Sequence, residues 1–191
     1  MKWILIAIYC LCSLIASAQY KYEKESRVKI KDVPAPALEF TKKIKFDKRI
    51  KWYKEESDQG LSYELKSRIG DYKYSIEFDV NGLLLDVERE VQLEKLPTHV
   101  QQLLVGRLND KFEKYKIKKV QVQAKGNNND LHQFILNDSR SEQIIISYEL
   151  VVKGTLSKKD DNKIYEILIN PVFGITSFKE VISRPTDKLE F

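Results

Sequence analysis

Between residues 61 and 94 apolar and polar side chains alternate almost without a break. Leu61, Tyr63, Leu65 and Ile69 share one phase against Ser62, Glu64, Lys66 and Arg68. Tyr72, Tyr74, Ile76 and Phe78 then oppose Lys73, Ser75, Glu77 and Asp79, and Leu83, Leu85, Val87, Val91 and Leu93 oppose Asp86, Glu88, Glu90, Gln92 and Glu94. A period of two with one polar phase predicts antiparallel strands with one solvated face. Gly70-Asp71 and Asp79-Val80-Asn81-Gly82 supply the turns, Gly82 being suited to a positive φ. Residues 49–55 alternate as well, with Ile50 and Trp52 on the core side and Lys51, Tyr53 and Glu55 on the other. Upstream, Ala37, Phe40, Thr41 and Ile44 fall at helical spacing behind Pro34 and Pro36, which predicts a short helix over about 35–45.

The second half restarts in the same order. Leu96-Pro97 precedes a stripe of Val100, Leu103, Leu104, Leu108, Phe112 and Tyr115, a helix with Thr98 as candidate N-cap. Strands are predicted at 117–124, 144–153, 164–170 and 175–183. A polar insertion at 125–142 interrupts them, and Pro171-Val172-Phe173-Gly174 takes the place of the earlier Asp-Val-Asn-Gly turn. The tetrapeptide SYEL occurs at 62–65 and again at 147–150, each time on the second strand after a helix. Tyr63, Leu65, Tyr148 and Leu150 take the apolar phase, and Glu64 and Glu149 the polar one. The fold class expected is therefore α+β: two tandem repeats, 33–95 and 96–191, each a helix followed by a four-stranded antiparallel sheet, with the helices on one sheet face. Whether the two sheets merge is left open.

The N-terminus changes the address of this fold. Lys2, an apolar run from Trp3 to Ile15 and Ala16-Ser17-Ala18 form the pattern of a signal peptide over 1–18, with cleavage near Ala18-Gln19. The expected location is periplasmic or secreted. Residues 19–32 are charged and poor in large aliphatics, and are expected to form a flexible leader. Cys10 and Cys12 both lie in the leading segment, so the mature chain has no disulfide and depends on its core. The net charge of +5 is spread over interleaved Lys and Glu, with the densest basic cluster at Lys42, Lys43, Lys45, Lys48, Arg49 and Lys51. Export argues against nucleic acid as a partner. A solvated face is the ordinary reading of such a cluster, with contact to a membrane surface or envelope polymer as the alternative.

Chemistry is sparse. Only His99 and His132 could serve as a base, both read as surface residues, and the chain has no Gly-x-Ser-x-Gly elbow and no His-Glu-x-x-His spacing. The runs at 127–130 and 160–162 offer oxygen atoms without the spacing of a calcium loop, so weak calcium binding is left open and no cofactor is expected. Glu64, Glu77 and Glu88 should share the outer face of the sheet, but Lys66, Lys73 and Arg68 lie there too, which favours cross-strand ion pairs over a glycosidase pair. No enzyme activity is expected. What remains is a binding surface on the outer face, with Tyr53, Glu64, Lys66, Lys73, Glu77, Glu88, Glu149 and Glu166 as candidate contacts and Tyr53 as the aromatic anchor.

The helix openers VPAPALEF and LPTHVQQLL, the strand WYKE, the aromatic–glutamate strands SYEL and YSIEFD, and the turns at Gly82 and Gly174 followed by strands containing EV together resemble the PepSY-like exported proteins of Bacteroidetes. These are related in shape to the beta-lactamase-inhibitory protein. The resemblance spans about 33–185 and departs from the pattern in the insertion at 125–142 and in the second turn. It implies a noncatalytic binding or inhibitory module of the cell envelope with no established catalytic residues to carry over. The expected partner is a protein or peptide of the envelope. An envelope structural or assembly factor contacting membrane or polymer is the alternative.

Overall fold

The computed structural model describes residues 19–21, 23–57, 60–139 and 141–182; the expected signal peptide and the residues beyond 182 lie outside them. Two prolines open the first two helices. Pro34 occupies the cap position of α1 (Ala35–Lys42) and Pro97 that of α2 (Thr98–Asn109), and a single 3-10 turn precedes each. A proline costs nothing at that point, because the first helical N–H groups have no intrahelical acceptor. Thr98, expected as the cap, is instead the first helical residue.

The alternating segments form β3 (Lys51–Ser57), β4 (Gly60–Ile69), β5 (Tyr72–Asp79) and β6 (Leu84–Val91), then β7 (Lys114–Lys125), β8 (Ile145–Thr155), β9 (Lys163–Ile169) and β10 (Ile175–Val181). Two further strands, β1 (Gln19–Lys21) and β2 (Glu23–Arg27), occupy the leader that was expected to be flexible. Polar edge strands such as β2 have no apolar phase of their own, and pairing alone fixes them. Here β2 lies antiparallel on β3, while β1 pairs parallel with β10 at the opposite edge.

The two expected four-stranded sets merge, which answers the question the sequence leaves open, and further strands extend both edges. β6 pairs with β7, so all the described strands form one ten-stranded sheet in the order β1-β10-β9-β8-β7-β6-β5-β4-β3-β2. Its nine antiparallel strands curl into a half-barrel. The class remains α+β, with three helices among the described residues where two were expected. The third, α3 (Asn128–Asn137), lies inside the segment read as a polar insertion. Asn127 caps it by accepting the Asp130 N–H at 3.0 Å, and Leu131, Phe134 and Ile135 bury its inner face. His132 is not a free surface residue: its Nε2 lies 2.8 Å from the Phe40 carbonyl, and its ring packs on that of Phe40 with 4.1 Å between centroids.

All three helices contribute to a single core with the apolar phase of the strands: Ala37 and Phe40 from α1, Leu104 and Leu108 from α2, Phe134 from α3, and Trp52, Leu65, Phe78, Val87, Val122, Leu150 and Ile167 from the sheet. Two turns on the helix side are built alike. The Asp79 carboxylate accepts the N–H groups of Asn81 and Leu83, both at 2.8 Å, and Asn170 Oδ1 accepts those of Val172 and Gly174 at 3.1 and 2.8 Å. In the first turn Gly82 takes the positive φ of 81°; in the second it falls on Phe173, at 59°. Phe173 is held there by stacking on Tyr148 and by Arg107, whose Nε donates to its carbonyl at 2.7 Å. Among the described residues no helix is long and apolar enough to cross a membrane.

Candidate functional site: the acidic outer face of the sheet

Strand register determines which polar side chains meet on the face away from the helices. Tyr53 of β3 is the Cα partner of Glu64 of β4, Glu64 that of Glu77 of β5, and Glu77 that of Asp86 of β6. Three carboxylates therefore follow one another across three strands. One pleat further, Lys66 pairs with Ser75, Ser75 with Glu88, and Glu88 with Gln123 of β7. The next row runs from Lys73 of β5 beyond Arg89 of β6 to Glu90, Gln121 and Glu149, and Glu166 follows opposite Val151. All eight residues predicted for the outer face thus lie on it. Asp86, Gln121 and Gln123 also lie on this face, and the sequence alone does not single them out. Their phase matches that of Glu88, and it was the only signal available.

The face was expected to be wet, and at its centre it is not. Ser62, Glu64, Asp86, Gln121 and Gln123 are buried. The described helices all pack on the opposite face and do not cover these residues; a half-barrel curled toward its outer face would enclose them. Glu88 combines some surface access with protein on most sides, which is the situation of a group at the floor of a furrow.

Burial has an electrostatic consequence. Desolvation pushes the Glu88 carboxyl up to about 8, and the neighbouring Asp86 charge adds to the rise while Lys119 opposes it. Asp86 is pushed up to about 7, again chiefly by burial and then by Glu77, with Lys125 opposing. Glu64 is raised by desolvation against the pull of Lys66. Like charges placed directly opposite one another oppose strand pairing, and the ion pairs expected from the sequence relieve only part of this row. Lys66 Nζ bridges Glu64 at 2.9 Å and Glu25 at 2.6 Å, with the Tyr53 ring 5.2 Å away. Lys73 pairs with Glu90 at 3.0 Å and not with Glu64, Glu77 or Glu88. Gln121 donates to Glu88 at 2.7 Å, and Gln123 Nε2 lies 3.2 Å from both Asp86 and Glu88. Lys125 stands 3.6 Å from Asp86 and Lys119 4.0 Å from Glu149.

What this arrangement can do is attract and desolvate positive charge. Carboxyls raised into the neutral range also occur in general-acid catalysis, but here the two amides of Gln121 and Gln123 occupy the Glu88 oxygens. Among the described residues one carboxylate group has the spacing to hold a metal ion, Glu25, Glu55 and Glu64. The Lys66 ammonium already bridges two of its members.

The structure thus defines a half-barrel sheet with helices on one face and a partly buried acidic furrow on the other. No protein-family model and no curated protein matches the sequence. Among solved structures, the chain is similar to a BLIP-like protein from Bacteroides fragilis NCTC 9343, with a TM-score of 0.49 and 16% identity over 82% of this chain and 92% of that chain. It is also similar to a DUF2874 family protein from Bacteroides ovatus ATCC 8483, with a TM-score of 0.48 and 14% identity over 78% of this chain and 89% of that chain. Both come from Bacteroides, and the first is of the BLIP-like class named by the resemblance in the sequence.

Proposed function

We propose that this protein is a noncatalytic exported binding module that takes a protein or peptide on the outer face of its sheet. The observation that carries the reading is the unbroken row Glu64, Glu77 and Asp86, flanked by Tyr53. Local stability disfavours such a row, and breaches of local stability rules gather at functional sites. The described leader and insertion also leave the face open: β1 and β2 extend the sheet edges, and α3 packs on the helix side. Inhibition of an envelope protein is one form such binding could take. The test is affinity capture from an envelope extract of the host, comparing the wild-type chain with Tyr53→Ala and with Glu77→Gln. A saturable protein partner that both variants lose supports the reading; a partner retained equally by both refutes it.

A second reading, an envelope structural factor that holds anionic membrane or polymer, is favoured by one observation. Lys114, Lys116, Lys118 and Lys153 line a concavity of about 430 Å³ at the start of β7, and Lys116 is the Cα partner of Lys153. Salt-sensitive sedimentation with anionic liposomes or peptidoglycan, abolished by Lys116→Glu/Lys153→Glu, would favour it over the first.

A further inference from the structure

The polar groups on the furrow floor are unequally matched. Glu64 and Glu25 share the Lys66 ammonium at 2.9 and 2.6 Å. One strand away for Glu77 and two for Asp86 and Glu88, there is no equivalent bridge: among the described residues the Glu77 carboxylate has no hydrogen bond or ion pair, and Asp86 has only Lys125 at 3.6 Å and a shared amide of Gln123 at 3.2 Å. Gln121 adds an independent observation. The residue is 4% exposed, its amide nitrogen is committed to Glu88, and its Oε1 carbonyl has no hydrogen-bond partner. A buried acceptor without a donor is costly, and here it lies on the same face as Glu77 and Asp86, which are short of donors while Glu88 is held by the two glutamine amides. Around Glu77 and Asp86 the furrow is short of positive charge.

We propose that the furrow floor around Glu77, Asp86, Glu88 and Gln121 receives a lysine or arginine side chain of the protein or peptide bound on the outer face. This rests on the binding-module reading. Lys66 is the chain's own precedent, a primary ammonium bridging two carboxylates of this face beside an aromatic ring. An alkylammonium or guanidinium donates several directed hydrogen bonds and shares a carboxylate with neighbouring donors. A bare divalent ion fits less well, because the Gln121 and Gln123 amide N–H groups point at the oxygens it would need. A cation seated there displaces the protons that burial keeps on Asp86 and Glu88, so charge complementarity still selects a basic segment, and the Gln121 carbonyl adds a directional acceptor for its N–H groups.

The test is a titration of the isotope-labelled chain with acetyl-Lys-Lys-Lys-amide and acetyl-Arg-Arg-Arg-amide, followed by nuclear magnetic resonance. Calcium, spermidine and acetyl-Glu-Glu-Glu-amide are parallel arms. The expected result is a saturable shift of the Gln121 side-chain amide and of β5–β7 backbone amides with a basic peptide, weakened about tenfold or more by Glu77→Gln/Glu88→Gln. Glu77→Gln alone, at a half-buried position, is expected to weaken binding with the fold intact by circular dichroism. No saturable shift, equal affinity in the variants, or a response to calcium or spermidine alone would overturn the proposal. The two readings also fail separately. If the basic peptides do not bind while an envelope partner is still lost on Tyr53→Ala, the cationic inference falls and the binding module stands. If the peptides bind but no partner depends on Tyr53, the cationic site stands and the binding-module reading falls.

Discussion

Arg89 Nη2 donates to Asp138 Oδ1 at 2.7 Å, so a strand near the middle of the sheet is tied to the C-cap of α3. Arg89 belongs to the apolar phase of β6, is 5% exposed, and lies over the rings of Tyr72 and Phe134 at 4.8 and 5.0 Å. The sheet therefore keeps a buried cation on its helix face and buried acids on the other. Asp138 has two roles, since its backbone is left-handed with φ of 51°. Asp138→Ala removes the ion pair and strains the cap, with an expected loss of about 2 kcal/mol, moderated by the exposure of Asp138 to solvent. Asp138→Gly removes the ion pair but eases the left-handed backbone, and is expected to lose less than Asp138→Ala. Denaturant unfolding of Asp138→Ala, Asp138→Gly and Asp138→Asn, the last keeping a residue tolerant of the left-handed cap, separates the terms; wild-type stability in Asp138→Asn would show that the charge of the pair contributes nothing.

Gly82 and Gly70 both have positive φ, 81° and 56°, but their surroundings differ. A Cβ on Gly82 would lie 2.9 Å from the Ala37 nitrogen and 2.9 Å from Pro34 Cβ, whereas at Gly70 nothing lies within 4 Å. Gly70→Ala is expected to cost about 1 kcal/mol, the conformational term alone. Gly82→Ala is expected to cost about 2–3 kcal/mol, because the turn must also move away from the start of α1. Equal losses in thermal unfolding would mean that the turn does not support the helix.

The strands were legible because their apolar phase is clean, and Trp52 could be placed in the core by its phase alone. The single sheet was not, because the pairing of Val91 with Val120 joins residues distant in sequence. In β2 only polar residues alternate, so no period marks it as a strand. α3 had a readable signal in Leu131, Phe134 and Ile135, masked by the Asn-rich start that turned out to be its cap. All eight outer-face positions followed from register, yet the burial of Glu64 and Asp86 did not. Curvature of a sheet is a tertiary property, and alternation looks the same on a flat face and inside a half-barrel.

Lys66 is the main counter-charge at the Tyr53 end of the furrow, and Lys66→Met tests how much the bridge contributes. Its side chain is 35% exposed and that of Glu64 11%, so most of the cost falls on the buried carboxylate left behind. The expected loss is about 1–2 kcal/mol at pH 8, after allowance for solvent screening. Adding Glu64→Gln in the Lys66→Met background should return part of it, because the unpaired charge is then gone. A double-mutant cycle with no coupling between the two positions would contradict this account.

The raised carboxyls make stability depend on pH with a definite sign. Glu88 and Asp86, near 8 and 7 in the fold, ionise near their ordinary values of 4.5 and 3.8 once unfolded. Between those limits the folded chain holds protons that the unfolded chain has released, so stability falls as pH rises. Their contribution is fully present below about pH 4 and is lost as pH climbs through 7 to 8. The groups that set the window face them from neighbouring strands: Glu64, Glu77, Glu149 and Glu166 sustain the rise, and Lys119 and Lys125 limit it. Asp79 has the opposite sign, because its hydrogen bonds to the turn N–H groups hold it below the usual range, so the isolated effect must be read as a difference between variants. From pH 5 to pH 8.5 the wild type is expected to lose on the order of 2 kcal/mol relative to Glu88→Gln, after discounting for the partial access of Glu88 to water. Unfolding midpoints in urea at four pH values for the two chains provide the check. Parallel curves would mean that Glu88 titrates in the fold as it does in water, and that the furrow floor is far wetter than its burial indicates.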